Sequence, residues 1–259
     1  MTNEIKPPPL PPQNLKSGDG SARAKRVYWG GWATAGFGFL IAFVFLVAQT
    51  IVVLGAAIYA GVSFSDPVAI EALGYDADVL ALATIASAVG VLALIALLIG
   101  MRSVSMNTYL GFRRPRWREI GCAIVITPLL GLGMDAVARM IHHGPPEFMV
   151  ELAKSTTSPL LVAVGVALAA PIAEEVFFRG FLYRSWRVSR LGRFGACVMT
   201  SALWAAIHLQ YGAFEITGIF VLGVVFTLMY EWSDSLWIPV GMHVLNNGLS
   251  LIQSNMLYG

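Results

Sequence analysis

Charge is the scarcest thing in this chain. Only 12% of its 259 residues are Asp, Glu, Lys or Arg, while 57% are hydrophobic and the mean hydropathy is +0.70. Soluble domains carry roughly 25% charged residues, so this composition excludes a water-solvated globule and implies a multi-spanning membrane protein. The formal net charge of +2 is too small for nucleic-acid binding, and no base-reading or phosphate-cradling motif is present. Cysteine is nearly absent. Cys122 and Cys197 both sit in apolar segments, which supports neither a disulfide framework nor a thiolate metal site; packing roles are expected for both. An internal repeat is also missing, which weakens an inverted-repeat transporter reading.

Apolar runs are what the chain has in quantity. We expect an all-α polytopic membrane helix bundle of about seven transmembrane helices, at 29–61, 79–101, 120–141, from 158 onward, 194–209, 214–230 and 236–252. Residues 1–28 read as a disordered cytoplasmic tail, because Lys6-Pro-Pro-Pro-Leu-Pro-Pro12 favours polyproline II; a solvated tether is expected there in preference to a groove-binding segment. Residues 29–157 form the N-terminal helices, 158–253 the core that carries the motifs below, and 254–259 a short C-terminal tail. Neither a signal peptide nor a lipidation signal is read at the ends, so the helices alone are expected to anchor the chain.

Basic residues assign orientation. Lys6, Lys16, Arg23, Lys25 and Arg26 precede the first span, Arg102, Arg113, Arg114, Arg116 and Arg118 follow the second, and Arg184, Arg187, Arg190 and Arg193 follow the fourth. All fall on one side, which places the N-terminus in the cytoplasm of an integral protein of the cell (plasma) membrane. Acidic residues such as Asp66, Asp76, Glu147 and Glu215 fall in the opposite loops. Asp135 and Arg139, four apart in the third span, suggest a structural pair.

Against this background Glu174-Glu175-Val-Phe-Phe-Arg179 stands out, three ionisable groups directly after an apolar run. A carboxylate at mid-bilayer costs about 2.5–3.5 kcal/mol on insertion scales, so intramembrane ionisable residues are functional candidates by default. At about 100° per residue, Glu175 and Arg179 face each other whereas Glu174 diverges from Arg179 by about 140°. Arg179 therefore neutralises Glu175 and leaves Glu174 free. Pro171 cannot donate to the carbonyl of Ala167; it either kinks the helix beside Glu174 or is one of the structural prolines common in membrane helices.

Later spans hold His208, and His243 with Asn247 four residues on. Glu174 and His208 come out at matching depths of roughly 20 Å from the cytoplasmic surface, with His243 somewhat nearer to it. His243 and Asn247 share a helix face and can aim donors at one oxygen. Singly, each is readable as interhelical glue. Together with Glu174 and His208 they form a candidate reactive site.

These motifs carry a resemblance. Glu-Glu-x-x-x-Arg at 174–179, an aromatic-x-x-x-His at 204–208 and His-x-x-x-Asn at 243–247 resemble the CAAX protease and bacteriocin-processing family of intramembrane proteases, which includes type II CaaX-prenyl endopeptidases and immunity proteins. Trp204 stands where that family usually shows Phe. The resemblance implies an intramembrane endopeptidase. In it Glu174 activates water, His208 holds or orients that water, and His243 with Asn247 stabilises the oxyanion, while Glu175 and Arg179 support the site. The substrate it implies is a peptide or membrane protein, of which a prenylated CaaX tail is one candidate. Two histidines and a glutamate can bind a divalent metal such as zinc, and Glu174, His208 and His243 would be the ligands; yet no His-Glu-x-x-His helix occurs, and we expect water activated by glutamate without a metal. A catalytically silent scaffold or immunity protein is the main alternative, and a proton-coupled transporter a further one.

Overall fold

The computed structural model describes residues 27–259; the expected proline-rich segment and the rest of the chain up to residue 26 lie outside the described residues. Described secondary structure is helical throughout, in the order α1 (Gly31–Ala60), α2 (Pro67–Tyr75), α3 (Ala77–Gly100), α4 (Met106–Leu110), α5 (Trp117–Met140), α6 (Glu147–Ser155), α7 (Pro159–Trp186), α8 (Gly192–Ala206), α9 (Ala213–Ser233) and α10 (Trp237–Tyr258). Five of them, α1, α3, α5, α7 and α9, are long and apolar enough to cross a membrane. The architecture is a polytopic helical membrane bundle.

The remaining two expected spans exist as helices of a different character. α8 has 15 residues, fewer than the ~20 that a full crossing needs. α10 has 22 residues but carries Asn246 and three polar groups, His243, Asn247 and Gln253, that hydrogen-bond to other helices of the bundle. Three short helices lie in connections that composition reads as loops. α2 starts because the Asp66 side chain accepts from the Ala69 amide at 3.0 Å with Pro67 in the first turn. Ser105 caps α4 in the same way, accepting from the Thr108 amide at 3.3 Å.

α3 is the inner post, packed by α1 on one side and α7 on another. Its contact with α7 is close because Gly165 has no side chain: a Cβ there would lie 2.8 Å from the Ala81 backbone. Small residues at helix interfaces are how membrane helices gain contact area without a hydrophobic drive between them. α1 is mostly exposed, with Phe39, Phe43, Leu46 and Ile51 facing outward, as a lipid-facing helix should.

Polar groups segregate to the two ends. At one end Arg184 donates to the hydroxyls of Tyr28 and Tyr230, both at 2.8 Å, Arg113 pairs with Glu119, and Arg187 with Glu231. At the other, Asp78 accepts from the Ser158 amide at 3.1 Å and His143 meets Glu215 at 2.7 Å. Asp135 is an exception to the sequence reading. Its carboxylate accepts from Gln253 of α10 at 3.3 Å instead of pairing with Arg139, because a neighbouring helix reaches it where the within-helix rule considers only its own turn.

Candidate active site

The site is organised by an irregularity in α7. Ala163–Ala169 and Val176–Tyr183 are π-helical, and the short α-helical turn Ala170–Glu175 between them carries both glutamates. In the first π stretch the Ala170 amide donates to the carbonyl of Gly165, five residues back. By the same register the carbonyl of Val166 should receive the amide of residue 171. That residue is Pro171, which has no N–H. The orphaned carbonyl is therefore Val166's, one residue earlier than ordinary α-helical counting gives. Asn247 fills the vacancy, its Nδ2 donating to Val166 O at 2.9 Å from α10. π-bulges inside α-helices occur frequently at functional sites.

Glu174 is half-buried, and its Oε2 accepts from the indole Nε1–H of Trp204 at 2.5 Å. The sequence reading left Glu174 free; the structure gives it this one hydrogen bond. Its Oε1 has no hydrogen-bond partner among the described residues. His208 lies in the turn just after α8, which ends at Ala206, short of the residue 209 boundary expected from hydropathy. The His208 imidazole turns back and donates from Nδ1 to the Trp204 carbonyl at 2.7 Å, satisfying an acceptor of the last helical turn. Nε2 is thereby left without a hydrogen-bond partner among the described residues.

Glu175 and Arg179 are fully buried and paired, Nη1 to Oε1 at 2.8 Å. The same Oε1 accepts from His243 Nδ1 at 3.0 Å. Arg179 donates from Nη2 to the Gly223 carbonyl at 3.1 Å, and its guanidinium lies 4.5 Å over the Trp204 ring. His243 packs edge-on to that ring at 5.1 Å. Glu174, Glu175, Arg179, His208 and His243 are thus gathered around Trp204. Asn247 stands slightly apart, with one N–H on Val166 O and the Asn246 amide donating to its Oδ1 at 3.3 Å. His243 and Asn247 lie on one helix and each spends one donor on a separate protein partner.

Two residues outside the sequence-derived set belong to this neighbourhood. Trp204 was visible only as an aromatic in a motif. Tyr211, in the same turn as His208, stacks on the His208 ring at 6.2 Å and meets Phe148 of α6 at 5.3 Å. Burial pushes the Tyr211 phenol up, helped by the charges of Glu215 and Glu174, which keeps it protonated. Its only sequence signal is its position three residues past His208.

Among the described residues no three His, Cys, Asp or Glu side chains converge as a metal-ligand set. Of Glu174, His208 and His243, the trio that would hold zinc, each histidine engages only Nδ1 in a hydrogen bond and Glu174 only Oε2. An apolar groove of about 340 Å³ lined by Ile120, Ile124, Trp237 and Leu245 among others, between α5 and α10, shares none of the candidate residues.

Comparison with known proteins bears on the same stretch. A model of the family described as Rce1-like, type II CAAX prenyl endopeptidase, matches residues 156–249. The chain is 30% identical over 146 residues to the membrane-embedded CAAX protease MroQ of Staphylococcus aureus (strain USA300), a match covering 52% of this chain and 56% of that protein. The chain therefore spans little more than half the length of this curated relative. No solved structure matches it.

Proposed function

We propose, on the premise that residues 156–249 belong to the Rce1-like family of type II CAAX prenyl endopeptidases, that the chain is an intramembrane endopeptidase hydrolysing a peptide bond in or near the bilayer. The observation that carries this reading is the unequal treatment of two adjacent glutamates. Glu175 is sealed between Arg179 and His243, whereas Glu174 is half-buried with Oε1 unpartnered.

In this reading a water sits between Glu174 and Nε2 of His208. Glu174 removes its proton as the water oxygen attacks the scissile carbonyl carbon, and the carbonyl π pair moves onto oxygen. Donors then have to meet that oxyanion. The second N–H of Asn247 is one. His243 is another in its imidazolium form, because its Nδ1 proton is directed to Glu175 and Nε2 donates only when it too is protonated. Collapse of the tetrahedral intermediate breaks the C–N bond, and the proton held by Glu174 passes to the leaving amine. Removing one oxyanion donor in comparable sites costs about 10²–10³ in rate.

The substrate in this reading is a peptide segment presented at the membrane, and the basic end of the bundle faces the cytoplasm. The test is comparative proteomics of cells expressing wild type or Glu174→Gln, followed by assay of the purified proteins on peptides with and without a prenylated cysteine. Fragments that vanish with Glu174→Gln are expected. Full cleavage by both Glu174→Gln and His208→Ala would overturn the proposal.

A further inference from the structure

The site has a centre that its motif marks only as an aromatic. Trp204 is 2% exposed and touches every charged or titratable member of the gathered set except Glu175. Its indole N–H bonds to Oε2 of Glu174, its carbonyl takes Nδ1 of His208, its ring face lies under Arg179 and it makes a T-shaped contact with His243. The ring itself is clamped. A Cβ on Gly223 would lie 3.1 Å from Trp204 Cε3, so the absence of a side chain on α9 makes the slot, and Phe226 closes it at 5.9 Å.

A clamped ring fixes the direction of its only donor. An indole has one N–H and no acceptor, so it orients a carboxylate in one way: one oxygen is tied and the other presented. Here Oε2 is tied and Oε1 is open. Glu174 has three rotatable torsions, and without such a tie its carboxylate samples several rotamers. A phenylalanine at this position, the residue led to by the resemblance of the 204–208 motif, would fill much of the slot but has nothing to donate.

We propose that Trp204 is a positioning residue for Glu174: its indole N–H holds the carboxylate so that Oε1 faces the water to be activated, while its carbonyl sets His208 in the tautomer that leaves Nε2 available. This rests on the endopeptidase reading. The two contacts make one rigid element responsible for the relative placement of base and histidine, which come from different helices. Hydrogen bonds to charged groups are among the stronger ones in proteins, and misplacing a reacting group by about 1 Å can cost about 10²-fold in rate.

The experiment has two arms on the full chain in detergent micelles or vesicles. In the first, the indole N–H signals of the seven tryptophans are recorded by nitrogen-15 NMR, and that of Trp204 is assigned by its loss in Trp204→Phe. It is expected downfield in wild type and moved upfield in Glu174→Gln. In the second, Trp204→Phe and Trp204→benzothienylalanine, an isostere with sulfur in place of N–H, are assayed on the peptide that wild type cleaves fastest from an internally quenched library, half of it carrying farnesylated cysteine. Both variants should lose about ten- to a hundredfold in kcat with little change in KM. Because the isostere keeps the ring, a folding defect in Trp204→Phe does not obscure the outcome. Full kcat with benzothienylalanine, or an indole signal indifferent to Glu174→Gln while cleavage is intact, overturns the positioning role alone. If wild type cleaves nothing that Glu174→Gln spares, the endopeptidase reading falls instead, and the NMR arm still reports whether the bond exists.

Discussion

Asn247 on the last helix donates to the carbonyl of Val166 on α7 at 2.9 Å, and Pro171 is the reason that carbonyl is available. In the bilayer an unpaired backbone acceptor costs several kcal/mol, and neighbouring helices are one of the few sources of a replacement donor. Asn247 thus has a structural task beside any part in catalysis. The two are separable, because its amide carries two N–H groups and Val166 takes one.

That separation can be measured by a double-mutant cycle. Asn247→Ala should lower thermal stability in detergent by about 1–2 kcal/mol. Pro171→Ala supplies the missing amide at residue 171, so in that background the same substitution should cost less, with a coupling of about 0.5–1.5 kcal/mol. Equal costs in both backgrounds would show that Asn247 does not serve the Val166 carbonyl.

The adjacent glutamates should respond oppositely to amidation. Glu174→Gln is expected to abolish cleavage while leaving the unfolding temperature close to wild type, since its carboxylate has one neutral partner. Glu175→Gln leaves Arg179 buried without its counter-charge and gives Arg179 and His243 a neutral amide oxygen in place of the carboxylate they share, which should destabilise by about 3–5 kcal/mol. Scanning fluorimetry of the two purified proteins distinguishes them, and a stable Glu175→Gln protein would contradict the assignment.

Gly165→Ala puts a methyl group where the Ala81 backbone lies 2.8 Å away, so α7 and α3 must separate. Overpacking of this kind costs about 1–3 kcal/mol. Gly36→Ala on α1 meets nothing within 4 Å and serves as the comparison, with no loss expected. Because α7 carries Glu174, cleavage should fall with Gly165→Ala and not with Gly36→Ala.

Chelators give a further check. With no three His, Cys, Asp or Glu side chains converging as a ligand set among the described residues, treatment with EDTA or 1,10-phenanthroline followed by dialysis should leave cleavage unchanged. Loss of activity restored by zinc would require Glu174, His208 and His243 to rearrange into a ligand set.

Much of the bundle is legible because charge is so rare that each apolar run ends at a visible cluster, such as Arg113 to Arg118. The Glu175–Arg179 pair is legible too, since residues four apart on a helix share a face even where the turn widens. Other features depend on neighbours that spacing does not contain. Asp135 has Arg139 four residues away, yet Gln253 approaches from α10 and takes the carboxylate. Trp204 reads in a sequence as aromatic bulk, and only the slot beside Gly223 turns its N–H toward Glu174. The π register of 163–169 has no residue signature of its own, so the vacancy left by Pro171 is assigned to Ala167 by α-helical counting and belongs to Val166.

That register has a bearing on how this helix can change length. A π stretch accommodates an additional residue within a helix whose ends keep their direction. Removing one residue from 163–169 would let the local turn relax to ordinary α-helical winding, and Glu174 could keep its side of the bundle. The same deletion within α8 has no such slack, and would swing everything beyond it by about 100°, carrying His208 away from Glu174. Shortening by a single residue is therefore a different event on the two helices that meet at Trp204.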